Sequence, residues 1–210
     1  MFYRTDQPHG LPHNPFAALV VPRPIGWIST ISSDGVVNLS PYSFFNAIAY
    51  DPPQVMFAGS NQHAEGGPKD AVKNIRETGE FVVNMATWDL RHAMSDTSTP
   101  APRNVDEFEA VGIEKEPSEL VAPPRVKASP IHLECKLSQI VQLEKSTDEA
   151  VNMMVIGVVV GIHISDDVMV DGMVDITKVR PVARLGYLDY AVVDGVFSIP
   201  RPGWPLKPGE

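Results

Sequence analysis

Two alternating apolar segments, Ile131 to Leu143 and Val151 to Ile164, follow each other with only the polar stretch around "STDEA" between them. Alternation over that length is a strand signal, and the short acidic connection predicts a hairpin. The second segment includes Asn152 and His163 and is too short to span a bilayer, so no membrane association is expected.

Other strands surround this hairpin. Ile25 to Ser32 alternates, and Asp34-Gly35 behind it is a two-residue turn signal with Val36 to Ser40 as the return strand. That turn predicts Thr30 opposite Leu39 and Ser29 opposite Ser40. Asp51-Pro52-Pro53 breaks the chain, and Gln54 to Ala58 reads as a further strand. Lys69 to Thr78 has apolar residues at 71, 72 and 75 with Gly79 directly behind, which predicts a short helix with Asp70 as its N-cap. "EFVVNMA" follows as a strand and Trp88 to Met94 as a second short helix. Thr97 to Pro130 is Pro-rich and helical only at "NVDEFEAVG", so it is expected to run over the surface. Val168 to Ser198 adds one or two short strands before the tail "IPRPGWPLKPGE", which is too rich in Pro and Gly to join a core. Many strands with few short helices predict a mainly β protein built as a closed or nearly closed antiparallel barrel. One domain is expected over residues 22–192, with an N-terminal extension at 1–21 and a C-terminal tail at 193–210.

Charge and cysteine usage exclude several classes. A net charge of -9 argues against nucleic-acid binding, because a phosphate backbone needs clustered Lys and Arg. Cys135 is the single cysteine, which rules out an internal disulfide and a cysteine-held metal; its strand setting suggests a buried structural thiol. No histidine pair has helical zinc-motif spacing outside the Pro- and Gly-interrupted His9 to His13 segment, so no metal is expected. A Gly-x-Gly-x-x-Gly fingerprint is absent, and "MFYRTDQPHGLPHNPF" has neither the basic segment nor the apolar run of a signal peptide. A cytoplasmic protein is expected.

Three segments carry small hydroxyl residues beside turns or a helix start: "RPIGWIST", "NLSPYSFFNAIAYDPP" and "GSNQHAEGGPKDAVKNI". In the third, Lys69 begins a helix behind Gly66, Gly67 and Pro68, a setting that suits an anion. Residue type alone leaves Lys69 open between a solvated side chain and a phosphate ligand.

In order and spacing these segments resemble the flavin reductase-like family of FMN-binding split barrels. The matching elements are Ser29-Thr30 at a strand end, the Asn38 to Ser43 loop, and Ser60 with Lys69-Asp70-Ala71-Asn74-Ile75. "DEFEAVGI", "HLECKL", "VIGVVVGIHI" and "RLGYLDY" extend the resemblance from about Pro22 to Tyr190. It implies bound FMN, with Ser29 and Thr30 serving the cofactor beside an apolar wall, Ser43 and Asn46 lining the flavin, and Ser60, Lys69 and Asp70 holding the ribityl phosphate. Two positions depart from the family pattern. Ala71 stands where the family has Thr or Ser, which removes a phosphate hydroxyl. Asn152 stands where its dedicated NAD(P)H:flavin reductases carry a His, which suggests the flavoredoxin-type branch. The resemblance implies an FMN-dependent oxidoreductase passing electrons from NAD(P)H or a redox protein donor to a flavin or small acceptor, or else an FMN electron carrier without turnover of its own. It also implies a homodimer with the flavin near the subunit interface, to which Trp27, Phe44, Phe45 and Tyr50 would offer apolar surface.

Overall fold

The protein is described by a computed structural model over residues 1–204; the last six positions of the expected tail lie outside the described residues. In chain order the elements are α1 (Phe16–Leu19), β1 (Arg23–Pro24), β2 (Gly26–Ile31), β3 (Val37–Tyr42), β4 (Phe45–Tyr50), β5 (Pro53–Ser60), α2 (Asp70–Thr78), β6 (Glu80–Met85), α3 (Arg91–Asp96) and α4 (Glu107–Val111). They continue with β7 (Lys115–Glu116), β8 (Arg125–Val126), β9 (Ile131–Gln142), β10 (Asn152–Ile164), β11 (Met169–Val170), β12 (Met173–Val174), α5 (Ile176–Val179), β13 (Val182–Arg184) and β14 (Tyr190–Val192). The structure is mainly β and its principal sheet is antiparallel, as the punctuation of the sequence predicts.

Seven strands form that sheet in the order β3-β2-β6-β9-β10-β5-β4. Its two edges, β3 and β4, are neighbours in sequence, joined only through Ser43 and Phe44. The sheet therefore curls until its two edges are brought together at this link without a shared ladder, and the gap between them is the seam of the barrel. β9 and β10 make the expected long hairpin, bent by register shifts at Ile156/Gly157 and Val159/Gly161. At the first of these the ring of Phe81 lies where a Cβ on Gly157 would stand, 2.4 Å from its Cζ. Glycine there lets the barrel interior fill.

The β2–β3 hairpin differs from expectation by one residue: Ser29 faces Leu39 and Thr30 faces Asn38. The loop holds three residues, not two. Ser32 N–H bonds Val36 O at 2.9 Å and Gly35 takes φ +85°, the left-handed position that closes a three-residue hairpin. β4 is a strand that the Pro52-Pro53 break concealed. α3 begins at Arg91 and not at Trp88: Trp88 N–H is bound to Arg180 O at 2.9 Å, and the residues after it form a turn, with Leu90 N–H on Thr87 O at 3.2 Å, before the helix starts.

β2 is buried on both faces. Ile28 points into the barrel, where Phe57, Phe81, Val83, Cys135 and Val155 pack with Ala71, Val72 and Ile75 of α2. Trp27 and Ile25 point the other way, into a second core with Leu39, Met94, Phe108, Val126 and Val182. The excursion from Thr97 to Pro130 is therefore more than surface chain: it supplies Phe108 and Val126 to that second core. Cys135 is fully buried, and desolvation first, with the Glu134 charge behind it, pushes its thiol pKa well up. It is a packing residue.

Candidate functional site

A cleft of about 260 Å³ opens where the seam meets the N-terminus of α2. Ser40 to Phe44 form one wall, Ala58 to Ser60 the end of β5 beside it, and His63, Lys69 and Asp70 the entry to α2. Thr97 to Ala101 face them, and Asn38 with Glu107 completes the lining.

The entry to α2 combines a glycine turn, a lysine and the N-terminus of a helix. Gly66 and Gly67 take φ +86° and +72°, which only glycine adopts freely, and the turn they make leads from His63 to Lys69, both of which line the cleft. Lys69, with extended backbone, is the N-cap in place of the expected Asp70, which is the first helical residue. Lys73 N–H bonds Lys69 O at 3.0 Å, and among the described residues no bond engages the N–H groups of Asp70, Ala71 and Val72. They form the partly positive end of the helix. Lys69 has no carboxylate within ion-pair distance among the described residues.

Ser43, Ser60, Lys69 and Asp70 come together in this cleft. The other predicted site residues do not line it. Ser29 and Thr30 lie on opposite faces of β2, both fully buried. Ser29 Oγ donates to Pro124 O at 2.5 Å and accepts from Asn84 Nδ2 at 3.2 Å, fastening the excursion to the barrel. Thr30 Oγ1 accepts from Asn74 Nδ2 at 3.0 Å, fastening α2. The hydroxyls that end β2 are thus structural staples. Asn46 points outward on β4, with its Oδ1 accepting from Ala47 N–H at 2.9 Å. The Ala71 methyl is in the barrel core, so the position can offer the cleft only its N–H. Asn152 pairs with Ser60 at the start of β10 and spends its amide on Glu144 O at 3.0 Å.

The structure also adds residues. Asp70 is engaged by the Arg103 guanidinium and lies 3.3 Å from His63 Nε2. Glu107, buried, accepts from Asn38 Nδ2 and from the N–H of Leu39, each at 3.0 Å, and so satisfies a backbone donor of the edge strand β3. Burial pushes its carboxyl pKa up, against the lowering effect of those bonds. Burial, followed by the Asp70 and Glu107 charges, pushes the Tyr42 phenol up as well, so its hydroxyl remains a donor at neutral pH. "DEFEAVGI" signalled Glu107 only as part of a motif. Arg103 stands 33 residues from Asp70 and left no local signal.

Residues 18–181 match the pattern of the Flavin reductase like domain. An uncharacterized protein of Aquifex aeolicus is 41% identical over 169 residues, covering 80% of this chain and 83% of its own length. Among solved structures, nitrilotriacetate monooxygenase component B from Bacillus cereus superposes with a TM-score of 0.86 at 28% identity, over 95% of this chain and 98% of that one. The 2-nitrobenzoate 2-nitroreductase NbaA of Pseudomonas fluorescens gives 0.79 at 30% identity, over 92% of each chain. A match across most of the chain, on a split antiparallel barrel, makes this protein a member of the flavin reductase-like family.

Proposed function

We propose that the protein is an FMN-dependent oxidoreductase of the cytoplasm, taking electrons from NAD(P)H or a redox protein and passing them to a flavin or small acceptor. The observation that carries this reading is the character of the cleft. Lys69, Ser60 and Asp70 at the N-terminus of α2, whose first N–H groups have no partner among the described residues, line it together with Pro41, Phe44, Ala58 and Gly59. Such a site fits a molecule with a phosphate at one end and a flat apolar ring at the other. When bound, the flavin itself supplies the redox chemistry.

In this reading Lys69 and the α2 N–H groups hold the phosphate, and the hydroxyls of Ser43 and Ser60 offer polar contacts along the chain between phosphate and ring. Tyr42 keeps its proton and can donate within the cleft. Anaerobic titration tests the proposal. FMN is expected to quench protein fluorescence and raise Tm, as a ligand of the native state must, and NADH or NADPH is then expected to bleach the flavin absorbance. Absence of any FMN-dependent change would remove the reading. Binding without bleaching would favour the electron-carrier alternative, to which the Asn in place of His at position 152 points.

A homodimer belongs to the same proposal. The cleft is smaller than the roughly 300–1,000 Å³ usual for ligands of nucleotide size, so a second subunit would complete it. Phe44, Ile48 and Tyr50 are exposed along the edge that β4 leaves unpaired, whereas Trp27 is wholly buried and Phe45 packs against the barrel core. Light scattering should give twice the chain mass, with the dimer tightened by FMN. A monomer that retains FMN would refute the shared site.

A further inference from the structure

The phosphate end of the cleft presents an electrostatic difficulty. Asp70 lines the cleft at the first position of α2, beside the N–H groups and Lys69 that would face a phosphate. A carboxylate there helps the helix but repels an incoming dianion. The structure shows how that charge is met. Arg103, on the chain between α3 and α4, places its guanidinium on Asp70 and donates from Nη2 to Gly66 O at 2.6 Å and Pro68 O at 3.0 Å. Its own N–H bonds Glu65 Oε1 at 3.2 Å. His63 completes the arrangement: Nδ1 accepts from Glu65 N–H at 3.0 Å, so the proton sits on Nε2, between Asp70 at 3.3 Å and Ala101 O at 3.1 Å.

We propose that Arg103 is a positioning and charge-compensating residue for the phosphate subsite. It fixes the 65–70 turn through its carbonyls and neutralises Asp70, so that the helix N-terminus presents net positive potential to the phosphate. Asp70 is then the anchor of Arg103 and not itself a phosphate ligand. This rests on the FMN reading of the cleft. Arg103 does not line the cleft, and its effect passes through Asp70 and the turn.

The arrangement makes a prediction that simple scaffolding does not: the loss caused by removing Arg103 is reversed by removing the Asp70 charge. Affinities of FMN and of riboflavin, which lacks the phosphate, are measured by fluorescence quenching on four purified proteins. Arg103→Ala is expected to weaken FMN by about tenfold or more, because an uncompensated carboxylate then stands beside the phosphate, and to leave riboflavin within about twofold. Arg103→Ala combined with Asp70→Asn is expected to recover most of the FMN affinity. Asp70→Asn alone is expected to bind FMN at least as well as wild type, a readout available even if Arg103→Ala fails to fold. Equal weakening of both flavins in Arg103→Ala, a double variant as weak as the single one, or a large FMN loss in Asp70→Asn would each overturn the inference while wild type still binds FMN. A wild-type protein that binds no FMN overturns the flavin reading, and the inference with it.

Discussion

Trp27→Ala is expected to lower the free energy of unfolding by about 3–5 kcal/mol, the range for deleting a large buried aromatic side chain. That is a large share of the roughly 5–15 kcal/mol available to a typical domain. Trp27 is wholly buried in the second core, between β2 and the excursion that carries Phe108 and Val126. Its Nε1 donates to Thr97 Oγ1 at 2.9 Å, and that hydroxyl donates in turn to Met94 O at 2.9 Å. The ring thus ties the barrel to the end of α3, where the wall formed by Thr97 to Ala101 begins. Removing it leaves a cavity, an unmet acceptor and a loosened wall, so FMN affinity should fall with stability. Trp27→Phe keeps much of the volume and loses the bond, for which about 1 kcal/mol is expected beyond the packing change. Urea unfolding followed by circular dichroism measures both variants; an alanine cost below about 1 kcal/mol would show that the second core is not a structural necessity.

Lys69→Ala is expected to weaken FMN by about 1.5–3 kcal/mol, the scale of a hydrogen bond to a charged group, which is roughly tenfold to 150-fold in Kd. Riboflavin should change little, because the lost ammonium serves the phosphate alone. The reasoning comes from the surroundings of Lys69. It caps α2 with its backbone, its side chain reaches the cleft, and among the described residues no carboxylate within ion-pair distance competes for it. Raising salt should reduce the gap between variant and wild type, since a partly exposed charge is screened. Matched losses for the two flavins would place the phosphate elsewhere in the molecule.

How much of this was legible in the sequence depended on the range of the interaction. Local signals held: Gly79 takes φ +76° and ends α2, and the β9–β10 hairpin pairs over nearly its whole length. The β2–β3 register slipped because Asp34-Gly35 suits a two-residue turn as well as the end of a three-residue one. The resemblance assigns Ser29 and Thr30 together to the cofactor, yet adjacent strand residues face opposite sides of a sheet. Only the positions of Asn74, Asn84 and Pro124, each more than 40 residues away, show where their hydroxyls go. Prolines between Thr97 and Pro130 suggested surface chain, whereas spacing between them admits Phe108 and Val126 to a core that no single segment reveals. Ser60 and Lys69 were found through their motif, and Arg103 was missed because its partner is fixed by tertiary structure alone.

The unladdered seam between β3 and β4 has a mechanical consequence. In a fully closed barrel, widening the wall by even an ångström stretches interstrand hydrogen bonds, so the lumen resists change. Here the two edges carry no mutual ladder, and the chain crosses between them only at Ser43 and Phe44. The seam behaves like an expansion joint. Widening the wall at this line would break none of the six interstrand ladders of the sheet.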